Sequence, residues 1–117
     1  MMSSPNRGEV WLVDLGYTAK VRPGLVVSIP ALMEDRALIT LIPHTTSPRG
    51  SRFEVEIKTR FLKPGVFDTQ NLITIPHAKL IRKLGELNPE QLSKIEKVLR
   101  LWLGVESPDS ESPPSRE

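Results

Sequence analysis

The chain has 117 residues, 38% of them hydrophobic and 26% charged, with a formal charge of +2. That describes one ordinary globular domain with enough chain for a single core. The absence of cysteine excludes disulfides and thiolate metal sites, and two histidines (His44 and His77) argue against a zinc or iron centre. No apolar run reaches the roughly 18 residues of a membrane span, and the first residues lack the apolar segment of a signal peptide; a cytoplasmic protein is expected.

In chain order, residues 1–6 read as loose. Glu9-Val10-Trp11-Leu12-Val13-Asp14 has strand composition and ends at Gly16. Gly16 to Pro23 reads as a loop in which Pro23 restricts Arg22 to extended geometry. Gly24 to Ile29 is a continuous apolar run suited to a central strand, stopped by Pro30. A second apolar run, Ala37 to Pro43, delivers His44, Thr45, Thr46 and Ser47 to its end. A basic turn with Arg49, Gly50 and Arg52 follows. Phe53 to Ile57 alternates with period two, as a strand with one wet face does.

After the turn Lys63-Pro64-Gly65, Val66 and Phe67 start another strand. Asp68 to Asn71 is a polar island, and Leu72 to Ile75 runs apolar to Pro76. Residues 77–87 read as a helical turn and then a short strand. Asn88 is a good N-cap, Pro89 takes the first helical position and Gln91 completes a capping box. Leu92, Ile95, Leu99 and Trp102 form one apolar stripe, Lys94, Glu96, Lys97 and Arg100 face water, and Gly104 ends the helix. The remainder, 106–117, is rich in proline and serine and reads as a disordered tail behind a single domain of residues 1–105. It sets four carboxylates (Glu106, Asp109, Glu111, Glu117) against Arg116, a net of −3, which leaves +5 on residues 1–105. A basic body suggests an anionic partner such as nucleic acid or an acidic peptide.

Five to seven short strands followed by one amphipathic helix predict a mainly β, α+β fold. The expected form is a small, strongly curled antiparallel sheet or partly open barrel with the helix packed on it. Polar side chains at the mouth of a rigid strand, beside loop arginines, are where a site is expected.

Four segments in order resemble the MazF/PemK family of toxin endoribonucleases. They are Arg7-Gly8-Glu9-Val10-Trp11-Leu12-Val13-Asp14, then Val21-Arg22-Pro23-Gly24-Leu25-Val26-Val27-Ser28, then Pro43-His44-Thr45-Thr46-Ser47, and the ending from Leu87-Asn88-Pro89-Glu90-Gln91 to Trp102-Leu103-Gly104. The resemblance implies an SH3-like barrel of the plasmid-maintenance toxin type, acting as a homodimer in the cytoplasm. It implies a cognate acidic, MazE-like antitoxin, DNA binding together with that antitoxin, and no cofactor. The implied activity is metal-independent, sequence-selective cleavage of single-stranded RNA, chiefly mRNA, leaving 2′,3′-cyclic phosphate and 5′-hydroxyl ends.

Such cleavage uses the ribose 2′-OH as an internal nucleophile, so the protein must position the backbone and stabilise charge on the phosphorane. By the resemblance, Arg22 and Thr45 are the catalytic pair. An arginine is a poor proton donor but grips two phosphate oxygens, so Arg22 suits electrostatic stabilisation. Thr46 is the alternative to Thr45, because a one-residue slip exchanges them and period-two alternation puts only one on a given face. His44 has the titration range of a general acid or base, or it contacts RNA, or it is structural. His77 reads as structural. Tyr17, Lys20, Arg49 and Arg52 are expected to line an RNA groove with Ser47, and Asp68, Gln70 and Asn71 to form its second wall. Several relatives carry an acidic residue before glutamine where Gln70-Asn71 stands, and some have a longer loop with a glutamate before Arg22, which leaves the proton acceptor open here. Two other readings use the same fold: a non-enzymatic toxin that binds and poisons DNA gyrase, and an SH3-like binding module without toxicity.

Overall fold

The computed structural model describes residues 5–16 and 20–105. Among these residues seven strands precede one helix: β1 Glu9–Asp14, β2 Val21–Val26, β3 Leu38–Thr45, β4 Glu54–Val55, β5 Val66–Asp68, β6 Ile73–Pro76, β7 Leu80–Glu86 and α1 Pro89–Leu103. Single 3-10 turns occupy Thr69–Asn71 and His77–Lys79. All pairings are antiparallel, in the order β4-β5-β3-β2-β1-β7, with β6 also on β3. Among the described residues no ladder joins β4 to β7. The result is the expected mainly β fold with one C-terminal helix, as an open, curled sheet rather than a closed barrel.

β3 is the strand about which the sheet bends. On one side it pairs with β2 through Leu41–Pro43. On the other it pairs first with β6 through Leu38–Leu41 and then with β5 through His44 and Thr45. Pro43 falls at the hand-over between β6 and β5, where no ladder needs its missing N–H, so it does not end the strand. The strand therefore runs two residues beyond the expected Pro43 and carries His44 and Thr45 on its ladder.

Alternation along β3 sends its side chains into two separate clusters. Ile42 joins Val10, Leu25, Val55, Ile57, Phe67 and Leu87 beneath α1, which contributes Ile95 with Leu92, Val98 and Leu99. Ile39 and Leu41 join Val13, Val26 and Ile75 on the other face, flanked by Trp11, Leu15 and Leu80. Two-sided burial explains why β2 and β3 read as continuous apolar runs.

α1 matches its expected caps. The Asn88 side chain accepts from the Gln91 N–H at 2.8 Å and the Gln91 side chain accepts from the Asn88 N–H at 2.9 Å. Gly104 closes the helix in the left-handed conformation at φ 70°. Ile95 is fully buried, and the Trp102 ring packs on Phe53 with centroids 5.2 Å apart. Glu96 forms an ion pair with Arg7, whose Nε also donates to the Val27 carbonyl at 2.8 Å, which ties the helix to the end of β2.

Two expectations are corrected. β2 covers Val21–Val26 rather than Gly24–Ile29, so Arg22 and Pro23 stand in a strand and not in a loop. β1 pairs along this whole segment, from Val21 to Leu25, whereas β3 joins only from Gly24 onward, so Pro23 lies where β2 has one partner. β4 is only Glu54–Val55, because β5 offers it two paired positions, Asp68 and Phe67. Tyr17 and the tail 106–117 lie outside the described residues. No described helix is long and apolar enough to cross a membrane.

Candidate active site

The β2–β3 ladder ends at Gly24 and Pro43, and two residues beyond it on each strand alternation puts Arg22 and Thr45 on the face that carries Gly24, Leu41 and Val13. Both line a cavity of about 480 Å³ whose apolar lining includes Leu15, Pro43 and Ile73. Its other polar lining comes from Ser47 and Arg49 of the β3–β4 loop, Glu54 on β4, Asp68 at the end of β5 and Asn71 in the 3-10 turn that follows. A hollow of about 550 Å³ at residues 56–58 and the start of α1 contains none of the candidate site residues.

Thr45 is held in place by its own turn. Its Oγ1 accepts the Ser47 N–H at 3.0 Å, so the hydroxyl hydrogen remains available to a ligand in the cavity. Arg22 is half-buried and has no ion pair among the described residues, which leaves its guanidinium to the cavity.

His44 alternates to the opposite side of β3. It is 2% exposed, and its ring meets the Phe67 ring edge-on with centroids 4.9 Å apart. Burial pushes its pKa below the usual 6.5. Among the described residues its Nε2 has no hydrogen-bond partner. The imidazole is thus a neutral part of the core beside Thr45, although His44 also borders the cavity. Gly65 makes this packing feasible. A Cβ there would sit 2.2 Å from the Thr45 carbonyl oxygen and 2.8 Å from His44 Cε1.

The rest of the cavity lining comes from segments organised by two carboxylates paired across the β4–β5 ladder, Glu54 and Asp68. Asp68 accepts the Gln70 N–H at 3.2 Å and an Asn71 Nδ2 hydrogen at 2.6 Å, which shapes the 3-10 turn. Thr69, fully buried, anchors the same turn by donating to the Phe53 carbonyl at 2.8 Å. Glu54 accepts the N–H groups of Arg49, Gly50 and Ser51 at 2.9, 2.8 and 3.1 Å. Those bonds, the one from Arg49 first, together with the Arg49 charge hold its pKa below the ordinary 4.5.

Residues 6–103 match the family described as the PemK-like, MazF-like toxin of type II toxin–antitoxin systems. The chain belongs to this toxin family. MazF-like toxins similar to it include the Endoribonuclease MazF1 of Mycobacterium bovis and the Endoribonuclease MazF4 of Mycobacterium tuberculosis. Each is 33% identical over 107 residues, covering 92% of this chain and 100% of the relative. A mycobacterial structure described as an endoribonuclease in complex with its cognate antitoxin superposes with a TM-score of 0.75. It is 30% identical and covers 92% of this chain and 100% of that one. A MazE–MazF structure from Deinococcus radiodurans, 22% identical over 90% of this chain and 100% of that one, agrees in fold with a TM-score of 0.75.

In this MazF-like toxin the structure gathers Arg22, His44, Thr45, Ser47, Arg49, Asp68 and Asn71 around one cavity. Thr46, exposed, is not in its lining, and neither are Lys20, Arg52 and Gln70. Arg52 lies instead over the Phe53 ring, with its guanidinium carbon 4.6 Å from the centroid. Glu54 was not among the sequence candidates. In the alternating stretch Phe53 to Ile57 it reads as one more wet-face residue. The only local signal is a carboxylate four residues after the glycine of a basic turn.

Proposed function

We propose that the chain is the toxin endoribonuclease of a type II toxin–antitoxin module, cleaving single-stranded RNA at a short sequence and so blocking translation in the cytoplasm. The observation that carries the reading is that Arg22 and Thr45 line one cavity, in a chain whose relatives are named endoribonucleases. In the proposed reaction the 2′-oxygen attacks the adjacent phosphorus. The P–O2′ bond forms and the P–O5′ bond breaks, the 2′-OH gives up its proton and the departing O5′ takes one. The products are a 2′,3′-cyclic phosphate and a 5′-hydroxyl, with no metal or cofactor consumed.

Arg22 stabilises the charge that builds on the non-bridging oxygens, and its strand position sets its aim before RNA arrives. Thr45 donates its free hydroxyl hydrogen to one of those oxygens, oriented by the Ser47 N–H. Arg49 and Ser47 hold the flanking backbone. Asp68 and Asn71 face the bases from the opposite wall, with Gln70, Lys20, Arg52, Thr46 and Tyr17 as outer contacts along a longer strand. Two further parts of the reading are a homodimer and a cognate acidic antitoxin. The similar mycobacterial endoribonuclease is found with its antitoxin, and Leu101, Trp102, Leu103 and Val105 leave exposed apolar area for a partner. Nothing in the relatives named above favours the gyrase reading.

The test is cleavage of a long single-stranded RNA in EDTA by wild type, Arg22→Ala and Thr45→Ala. Wild type is expected to cut at a recurring short motif and leave cyclic phosphate ends, while both folded variants are inactive. Intact RNA with wild type overturns the reading.

A further inference from the structure

The loop between β3 and β4 runs from Thr46 to Phe53 with no ladder of its own, yet its backbone donors are taken in an ordered way. The Ser47 N–H goes to Thr45 Oγ1. The Arg49, Gly50 and Ser51 N–H groups converge on the Glu54 carboxylate, three on Oε1 and one shared with Oε2. Phe53 N–H goes to Ser51 Oγ at 3.0 Å, and Glu54 N–H to the Ser51 carbonyl at 3.2 Å. Gly50, at φ 86°, supplies the left-handed step that lets three successive N–H groups point inward. The arrangement is an anion-binding concavity whose occupant is the side chain of Glu54, the first residue of β4. Glu54 itself is anchored, since its strand pairs with Asp68 and Phe67 and the latter is fully buried.

From this geometry we propose that Glu54 is a positioning residue of the cleavage site, acting through Arg49. It clamps the turn so that the Arg49 side chain stays at the cavity, across from Arg22 and Thr45. The role rests on the endoribonuclease reading above. It follows from what else holds Arg49: the preceding Pro48 has no N–H, Gly50 is conformationally permissive, and Arg49 is exposed, so among the described residues the Glu54 carboxylate is the one partner of the Arg49 and Gly50 N–H groups, while Ser51 keeps its bonds from the Phe53 and Glu54 N–H groups. A role as proton acceptor fits less well, because the N–H bonds occupy both oxygens and weaken their basicity. A competing possibility is that the carboxylate plugs a phosphate site, in which case its removal would strengthen RNA binding.

The experiment uses the full chain as wild type, Glu54→Ala, Glu54→Gln, Arg49→Ala and the Glu54→Ala/Arg49→Ala double variant. It measures kcat/KM on a single-stranded RNA oligonucleotide across salt concentrations, and amide exchange of Arg49–Ser51 without RNA. Glu54→Ala is expected to lower kcat/KM roughly 10- to 100-fold, as displacement of a substrate-positioning group does. Its salt slope should become shallower by about 0.7 to 1, matching loss of the Arg49 phosphate contact, and amides 49–51 should lose protection. The double variant should be no worse than Arg49→Ala alone, the coupling expected of one residue acting through another. Glu54→Gln, whose amide oxygen retains the Gly50 and Ser51 bonds, should recover most of the loss.

Additive losses in the double variant, or unchanged exchange in Glu54→Ala, overturn the clamp. Tighter RNA binding by Glu54→Ala overturns it in favour of a plugged phosphate site. A Glu54→Gln variant as inactive as Glu54→Ala, with the acidic limb of the pH profile gone, overturns it in favour of a general base. Inactive wild type rejects the endoribonuclease reading and with it any role of Glu54 in cleavage, whereas amide exchange fails or succeeds without RNA.

Discussion

The two walls of the cavity are held by different physics. Arg22 and Thr45 stand on β2 and β3, whose backbone ladders and two-sided apolar burial fix their directions together with the core. Arg49 and Asn71 stand on turns whose shape depends on two carboxylates, Glu54 and Asp68. A wall made by strands is lost only with the fold; a wall made by side-chain clamps can loosen while the core stays intact. The rigid wall carries the groups proposed to meet the reacting phosphate, and the adjustable wall carries those proposed to meet the rest of the RNA.

The largest effect should come from damage beneath the strand wall. Gly65→Ala places a methyl group 2.2 Å from the Thr45 carbonyl oxygen and 2.8 Å from the His44 ring, and backbone has to move to admit it. Destabilisation of about 3 kcal/mol is expected in chemical denaturation, with cleavage lost even where the protein remains folded.

Next come the strand-wall side chains themselves. Arg22→Ala should lower kcat by roughly 10²- to 10³-fold, the usual effect of removing one electrostatic stabiliser, with the melting temperature little changed. Thr45→Ser should restore most of what Thr45→Ala loses, since it keeps the hydroxyl and the Ser47 bond. Equal inactivity of the two would show that Thr45 acts by packing rather than by its hydroxyl.

Loosening the other wall should have a smaller effect on stability. Asp68→Ala removes the cap of the Thr69–Asn71 turn and should cost about 1 kcal/mol, the typical value for such a cap. It should also weaken discrimination between RNA sequences more than it lowers the rate on the best one, as a cleavage survey over mixed sequences would read. A uniform loss over all sequences would instead assign Asp68 to the chemistry.

Acid separates the walls by pH window. His44 has a folded pKa below 6.5, so the unfolded chain binds its proton more readily. Its contribution to stability is complete above about pH 6.5 and falls as the pH drops from there toward the folded value. His44→Leu should remove that slope from a plot of melting temperature against pH. The Glu54 pKa is lowered from 4.5, so its clamp is complete above about pH 4.5 and is lost only as the pH falls through the lower folded value. Amide protection at Gly50 and Ser51 should therefore stay flat between pH 6.5 and 5, where the His44 slope appears; a fall in protection over that range would mean that the walls are not independent.

Much of the strand wall was legible in the residues. β1 has the expected bounds, α1 has its expected caps, and the 77–87 stretch is a helical turn and then a strand. Arg22 and Thr45 were singled out by a motif resemblance, and the alternation that separates His44 from Thr45 follows from strand geometry. The start of β2 and the end of β3 were misplaced because Pro23 and Pro43 read locally as stops. Each stands where its strand lacks one partner, and that depends on which strands come alongside.

By itself, then, the sequence determined the elements, the helix caps and the two-sided apolar character of the central strands, because periodicity and capping are local. Only the tertiary structure decided that Arg22 and Thr45 line one cavity, that His44 is a buried ring against Gly65, and that Arg52 lies over Phe53 outside the cavity lining. It alone drew Glu54 out of an ordinary alternating stretch and set it at the centre of the basic turn. The reason is the same throughout: register and loop closure join residues far apart in the chain, and no local propensity encodes which of them will meet.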